Sequence, residues 1–377
     1  MSGIYLHIPF CKQACHYCDF HFSTSLKKKD ELILALSKEI TLRKQEFENE
    51  VVETIYFGGG TPSVLTLEEI NFLIQHVYQN FTVSDNPEIT IEANPDDLSE
   101  SYLLALSKSA VNRLSIGVQS FFEDDLKLMN RAHDTAQALA CLEIATRYFD
   151  NISIDLIYGI PGMSQEKWKQ NIQKALDFGI SHISSYALTV EPKTALSTLI
   201  KNGKIAPPQD EVAQEHFMIL VETLEANGFI HYELSNFGKE HCFSRNNSAY
   251  WLGKKYLGIG PSAHSYDGVS RSWNVANNSI YIKKIQENQL PNEVEVLTLT
   301  DRYNEYIMTG LRTIWGVSLR RIEMEFGKDY SDYLSQQMQK FLRDGVLVLE
   351  QEVLRTTKKG KFLTDGIASD LFYLNLD

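Results

Sequence analysis

Apolar runs rich in β-branched residues recur along the first half of the chain, at residues 4–8, 54–57, 89–92, 113–118, 152–157 and 183–188. Short continuous runs of this kind predict strands covered on both faces. Between them lie segments of helical period, at residues 31–48, 67–80, 101–108, 135–148 and 165–178. The alternation predicts a parallel sheet with right-handed crossovers. Six such units fall short of a closed barrel of eight, so the expected fold is α/β, a partial (β/α)6 TIM-like barrel. Beyond residue 190 the alternation stops. Asn202-Gly203 and Pro207-Pro208 mark a break, a helix is expected over 210–227, and a stretch rich in glycine and asparagine, 232–278, shows little periodicity. Helical patterns return at 302–313, 318–326 and 330–344, followed by two short strand-like runs at 345–349 and 353–357. These predict an α+β C-terminal extension resembling a winged helix. The expected organisation is a barrel over 1–200, a connecting and elaborating segment over 201–290, and a C-terminal unit over 291–377.

Composition narrows the class. With 377 residues, 43% of them hydrophobic and 23% charged, the chain has the make-up of an ordinary soluble globular protein. No apolar stretch approaches the ~20 residues that span a bilayer, and the N-terminus lacks the basic and apolar regions of a signal peptide. A cytoplasmic location is expected. The net charge of −13 disfavours broad contact with phosphate backbones, so no nucleic-acid partner is expected. Five cysteines in so long a chain are not a disulfide framework.

The suggestive residues fall after the strands, at the carboxyl ends where barrel enzymes build their sites. Cys11, Cys15 and Cys18 follow the first strand with the spacing C-x3-C-x2-C. Three thiolates can hold three corners of a [4Fe-4S] cube and leave one iron open for chemistry. Gly58-Gly59-Gly60-Thr61-Pro62 follows the second strand, and bare backbone lets a second ligand approach closely. Cysteine spacing and glycine loop together are the signature of a radical S-adenosylmethionine (SAM) protein. A structural zinc site completed by His16 or His21 is the alternative, and lacks a second cysteine pair. Glu92 ends the third strand, Gln119 follows the fourth, Asp155 lies on the fifth and Tyr186 on the sixth.

Longer motifs extend this. Tyr5 to Cys11, Cys15-His16-Tyr17-Cys18-Asp19-Phe20, the glycine loop, Arg113 to Ser120, Asn130-Arg131-Ala132-His133, Tyr232 to Phe237 and Leu257 to His264 resemble the oxygen-independent coproporphyrinogen III oxidase family of radical SAM proteins. The resemblance covers essentially the whole chain. Decarboxylating oxidases of the family carry a further cysteine where this chain has Phe20, and a longer segment before the cluster, where ten residues precede Cys11. Both departures favour the heme-chaperone branch, whose members bind heme and pass it to heme-requiring apoproteins. The oxidase reaction on a porphyrinogen, with its electron donor, is the alternative, and radical modification of tRNA or a peptide is disfavoured. The resemblance implies that Cys11, Cys15 and Cys18 hold the cluster and that Gly59, Gly60 and Thr61 line the SAM amino group and backbone. It places Tyr17 beside the cluster, and Tyr5, Glu92, Gln119, Arg131 and Asp155 at SAM contacts, with Arg131 suited to a carboxylate. The branch also carries a motif H-N-x-x-Y-W whose histidine is a candidate heme contact. Here it reads Asn246-Asn247-Ser248-Ala249-Tyr250-Trp251, and an amide is not a normal axial ligand. His241 and Cys242 are then the nearest ligand candidates, Tyr250 and Trp251 packing residues or stacking partners, His264 a pocket-lining residue, and Cys141 a core residue.

Overall fold

The computed structural model describes residues 2–374; the first residue and the last three, including the end of the expected 291–377 unit, lie outside them. Six strands, β1 (Ser2–Ile8), β2 (Val52–Gly59), β3 (Val83–Ala93), β4 (Arg113–Gln119), β5 (Ile152–Tyr158) and β6 (His182–Ala187), pair in parallel in chain order. They form the α/β partial barrel that the periodicity predicts. Every residue of β4 is buried, as expected for a strand covered on both faces.

The crossovers run through α1 (Lys29–Leu42), α2 (Leu67–Asn80), α3 (Glu100–Leu106), α4 (Glu123–Leu128), α5 (Thr135–Tyr148) and α6 (Gln165–Asp177). Their starts are written locally. Thr66 with Glu69, and Asp134 with Gln137, form reciprocal capping boxes that satisfy otherwise orphaned N–H groups. The run expected as one helix over 31–48 breaks at Arg43 into a short 3-10 turn, Lys44–Phe47. Arg43 is buried there, its guanidinium shared between the Gly258 carbonyl (2.8 Å) and Glu46.

The rest of the first core comes from residues whose short elements carry no readable period. After α7 (Ala195–Lys201) and α8 (Asp210–Ala226) come β7 (Ile230–Glu233), β8 (Asn236–Gly238), α9 (Arg245–Trp251), β9 (Tyr256–Ile259), β10 (His264–Tyr266), β11 (Ser270–Asn274), α10 (Asn278–Gln286) and β12 (Asn292–Val296). Among the described residues the sheet has the order β12-β11-β10-β9-β1-β2-β3-β4-β5-β6-β8-β7. Strand β9 lies parallel to β1 on the open side of the barrel, so the stretch 232–278, expected to be irregular, extends the sheet at both edges. A second apolar cluster gathers α11 (Leu299–Leu311), β13 (Val317–Ser318), α12 (Leu319–Phe326), α13 (Lys328–Gln337), α14 (Gln339–Arg343), β14 (Leu347–Glu350), β15 (Val353–Thr356) and α15 (Thr364–Asp370). Its three strands pair antiparallel in the order β13-β15-β14. The helix expected over 330–344 is split at Met338.

Candidate functional site

The loop after β1 is pinned from several sides. The Cys11 N–H donates to the Ser23 carbonyl (3.1 Å), the His16 N–H to the Met129 carbonyl (3.0 Å), and the Leu196 N–H to the His16 carbonyl (2.7 Å). Asn130, in a left-handed conformation (φ 55°), donates its amide to the Ala14 carbonyl at 2.7 Å, and Gln13 donates back to the Asn130 carbonyl at 3.0 Å. The Asn130-Arg131 pair thus fastens the cysteine loop to the far side of the barrel mouth. Lys12 pairs with Asp96 and Asp97 on the turn after β3.

Of the twelve residues nominated from sequence, eleven line one cavity of about 460 Å3 at the carboxyl ends of the strands. They are the three cysteines, Tyr17, Gly59, Gly60, Thr61, Glu92, Gln119, Arg131 and Asp155. Tyr5 is the exception. It packs behind the lining, its ring stacked on Tyr56 at 6.0 Å and its hydroxyl 3.3 Å from His7 Nδ1. His264 does not line the cavity either; it sits on β10 opposite Trp273, and the pocket-lining expectation is corrected.

Arg131 ties the cavity wall together. Its Nη1 donates to Cys15 Sγ (3.3 Å) and the Tyr17 hydroxyl (3.5 Å), and its Nη2 to Asn94 Oδ1 (2.6 Å) and the Gly117 carbonyl (2.8 Å). Its Nε is buried without a partner. Burial works against the cation, and Tyr17 and Cys15 more than offset it, so the guanidinium stays charged. Asn94 also donates to Thr61 Oγ1 (3.3 Å), whose hydroxyl donates to Cys11 Sγ (3.4 Å). One polar chain therefore connects two of the thiols through Thr61, Asn94 and Arg131. Burial pushes the Cys11 thiol up, and the Cys18 thiol up to about 11; a bound metal reverses that preference, because a coordinating thiol is deprotonated outright.

Glu92 on β3 accepts from the Tyr56 hydroxyl (2.8 Å) and the Gly59 N–H (3.2 Å). Burial raises its pKa to about 7, the Tyr56 hydrogen bond works the other way, and Asp155 adds to the rise. Burial likewise raises Asp155 to about 6, held down by Ser184 and Arg113. Gln119 takes φ 67° at the end of β4, next to an irregularity in the β4–β5 register. A non-glycine residue in that conformation at a ligand cavity is backbone strain of the kind concentrated at functional sites. The glycines meet a different need from the expected one. A Cβ on Gly59 (φ 109°) would stand 2.5 Å from the His7 ring, and one on Gly60 2.7 Å from the Phe10 carbonyl oxygen. The loop is bare first because β1 lies against it, and the ligand benefits from the same bareness. Asn94, Tyr56 and Arg113 were not nominated from sequence. Asn94 had a legible signal, two residues after Glu92 and just before Pro95 at a strand end. Tyr56 lay inside an apolar run and gave none, and Arg113 was legible only as the start of a motif, with no role attached.

The residues present fit a cluster with a second ligand beside it. Three half-buried thiols face one cavity together with bare glycine backbone, a fixed cation stands 3.3 Å from one of them, and two half-buried carboxylates, Glu92 and Asp155, line the same cavity. Neither His16 nor His21 lines this cavity; His16 Nδ1 is engaged with the Leu128 carbonyl and His21 Nε2 with Asn278. Among the described residues no three His, Cys, Asp or Glu side chains converge as on a single metal ion, whereas a cube takes one thiolate per corner iron.

The motif position Asn246 lies at the other end of the barrel. Helix α9 closes the floor, where Asn246 Oδ1 accepts from Thr54 Oγ1 (2.9 Å) and the Asn246 N–H donates to Glu88 Oε1 (3.0 Å). The Arg245 N–H donates to the other Glu88 oxygen (3.0 Å), so one carboxylate caps the positive end of the helix. Asn246 is buried, not at the mouth. His241 is exposed (φ 66°) and Cys242 half-buried; neither lines the mouth cavity. Cys141 is buried in the first core.

Residues 5–180 match the radical SAM superfamily, and residues 297–363 match the HemN C-terminal domain. The heme chaperone HemW of Bacillus subtilis (strain 168) is 34% identical over 371 residues, covering 97% of this chain and 98% of its own length. HemW of Lactococcus lactis subsp. lactis is 33% identical over 376 residues, covering 97% and 98%. In structure, the coproporphyrinogen III oxidase HemN from Escherichia coli, a radical SAM enzyme, superimposes with a TM-score of 0.85 at 24% identity over 98% of this chain and 90% of that one, a likeness of fold. The cluster and SAM expected from the cysteine spacing are those of the superfamily. With relatives matched along nearly their whole length at this identity, the chain belongs to the HemW family of radical SAM proteins.

Proposed function

We propose that this protein binds heme and delivers it to heme-requiring apoproteins, holding a [4Fe-4S] cluster and SAM at the barrel mouth. The observation that carries the reading is the likeness to heme chaperones over nearly the whole chain, together with Phe20. This side chain is 70% exposed on the cluster loop, where the oxidases are expected to place a cysteine, and a phenyl ring ligates nothing. In this reading Cys11, Cys15 and Cys18 hold the cluster. Arg131 keeps the thiolate side of the cavity neutralised and the loop in place. Gly59 and Gly60 offer backbone to SAM, and Glu92 and Asp155 face its cationic and hydroxyl groups as acceptors. When bound, a reduced cluster supplies an electron for cleaving a C–S bond of SAM; the protein contributes placement and exclusion of water. The division into a barrel over 1–200, an elaborating segment over 201–290 and a winged-helix-like unit over 291–377 belongs to this reading. Among the described residues no helix is long and apolar enough to cross a membrane.

Two measurements test it. Anaerobically reconstituted protein holds about four irons per chain on the three-thiolate reading, and Cys11→Ala, Cys15→Ala or Cys18→Ala abolishes this. Reduced protein given SAM and coproporphyrinogen III leaves the porphyrinogen unchanged, while hemin titrates to saturation. Efficient formation of protoporphyrinogen IX overturns the chaperone reading in favour of the oxidase.

A further inference from the structure

One cation on the inner face of the barrel has no contact partner that accounts for it. Arg113 opens β4, on the same side of the strand as Ser115 and Gly117, both of which line the mouth cavity. Strand side chains alternate between faces, so Arg113 points into the barrel beneath them. The register fixes the levels: Arg113 lies beside Thr90, Ser115 beside Glu92, and Gly117 beside Asp155. Arg113 therefore stands one step of the same face, about 7 Å, below the level of Glu92 and two steps below that of Asp155. It is 1% exposed.

A guanidinium so deep is costly unless it is paired and hydrogen-bonded. Arg43 shows the usual solution, with Glu39, Glu46 and the Gly258 carbonyl all at contact distance. Arg113 has no such set. Its Nε is buried without a hydrogen-bond partner, and it makes no ion pair among the described residues. At longer range its charge acts on the acidic pair of the mouth, where it favours the ionised forms of Glu92 and Asp155 against burial. From the other walls these carboxylates are faced by Tyr5, Tyr56, Tyr186 and Tyr250, all neutral because burial raises them. Arg131 also acts on Asp155, from the thiol side. His182 is held between Ser153 Oγ and the Tyr232 hydroxyl, 2.7 Å from each, and burial followed by Arg113 keeps it neutral. Arg113 thus supplies positive charge from beneath the two carboxylates without touching either.

We propose that Arg113 is a positioning residue of the SAM site, a fixed counter-charge under Glu92 and Asp155 that keeps both ionised while they face the sulfonium and ammonium groups of SAM. The proposal rests on the reading that the mouth holds SAM, and adds a residue to it. SAM carries those two positive groups and one carboxylate, a single net positive charge. Two ionised carboxylates with Arg113 carry a single net negative charge, so the loaded site is neutral. Without Arg113 one negative charge is left over, and in a site closed from water a carboxylate then takes up a proton. Contact is not required, because opposite charges in a poorly solvated interior attract over several ångströms. The separation has its own use. An arginine bonded to Glu92 or Asp155 would occupy the oxygens that SAM needs, whereas one a step below leaves them free.

The test titrates SAM calorimetrically into the full, cluster-loaded chain from pH 6 to pH 9, in two buffers of different ionisation heat. In the parent, affinity rises with a midpoint at about 7, where binding releases about half a proton from Glu92. Arg113→Met moves the midpoint up by about one unit, the effect of losing one nearby opposite charge. At pH 7 SAM then binds about fivefold more weakly and releases about 0.9 proton, while at pH 9 the two affinities converge. Arg113→Lys keeps the charge and keeps the parent's midpoint. Iron content and circular dichroism matching the parent establish that each variant is folded, and Arg113→Gln, also neutral, gives the same shift and replaces the methionine variant if that one misfolds. If the neutral variants bind SAM as the parent does, or more weakly by one factor at every pH, the proposal falls and the SAM reading stands. A midpoint shift that Arg113→Lys shares in full assigns the effect to packing and overturns the proposal too. No saturable SAM binding by the parent overturns both.

Discussion

Glu92 offers a direct check on the electrostatics of the mouth. Its pKa is raised from the ordinary 4.5 to about 7, first by burial. At about 1.4 kcal/mol per unit, ionising it in the empty cavity costs on the order of 3 kcal/mol. Because the folded-state value is above the unfolded one, the contribution to stability is complete below pH 4.5 and is lost as pH rises through 7. Binding of a cation has the opposite pH dependence. At pH 6 the group is ionised about 9% of the time and at pH 8 about 91%, so if SAM needs the carboxylate its apparent affinity rises about tenfold between them. Glu92→Gln removes this step, Tyr56→Phe moves it to higher pH by deleting the hydrogen bond that favours the ionised form, and any residual step near pH 6 belongs to Asp155. Calorimetric titration of SAM into anaerobic protein, in two buffers of different ionisation heat, measures both affinity and protons released. The same tenfold step in parent and Glu92→Gln would refute the reasoning, since it would then come from SAM or from another group.

Gly59→Ala forces a Cβ into the His7 ring at φ 109° and is expected to cost about 2–4 kcal/mol from strain and overlap; denaturant midpoints within experimental error of the parent would contradict it. Arg131→Lys cannot serve Cys15, Tyr17, Asn94 and Gly117 from one point charge, so iron retention after desalting falls and SAM affinity drops at least about tenfold, read by iron assay and titration. Asn246→Ala leaves the Thr54 hydroxyl without its acceptor and costs about 1–3 kcal/mol, while the hemin-bound spectrum keeps its band positions; a spectral change would put Asn246 at the heme.

Much of this was present in the chain as written. The β-branched runs and the helical periods between them specified the six parallel strands, because a strand buried on both faces must be apolar throughout and the helix beside it apolar on one side. The cysteine spacing and the polar residues ending successive strands were legible too, since side chains at the ends of parallel strands share one mouth whatever the barrel's detail. What sequence alone left open was set by partners distant in the chain. Strands such as β8 and β10, three residues each, have no period to read and exist because a sheet edge was waiting for them. Gly59 and Gly60 are bare because β1 passes within van der Waals reach. Arg131 acquires four acceptors only when β3, β4 and the cysteine loop converge. Asn246 reads from sequence as a lost ligand and is, in the fold, a floor residue held by Thr54 and Glu88, because which face a motif turns to the cavity is settled by packing rather than by spacing.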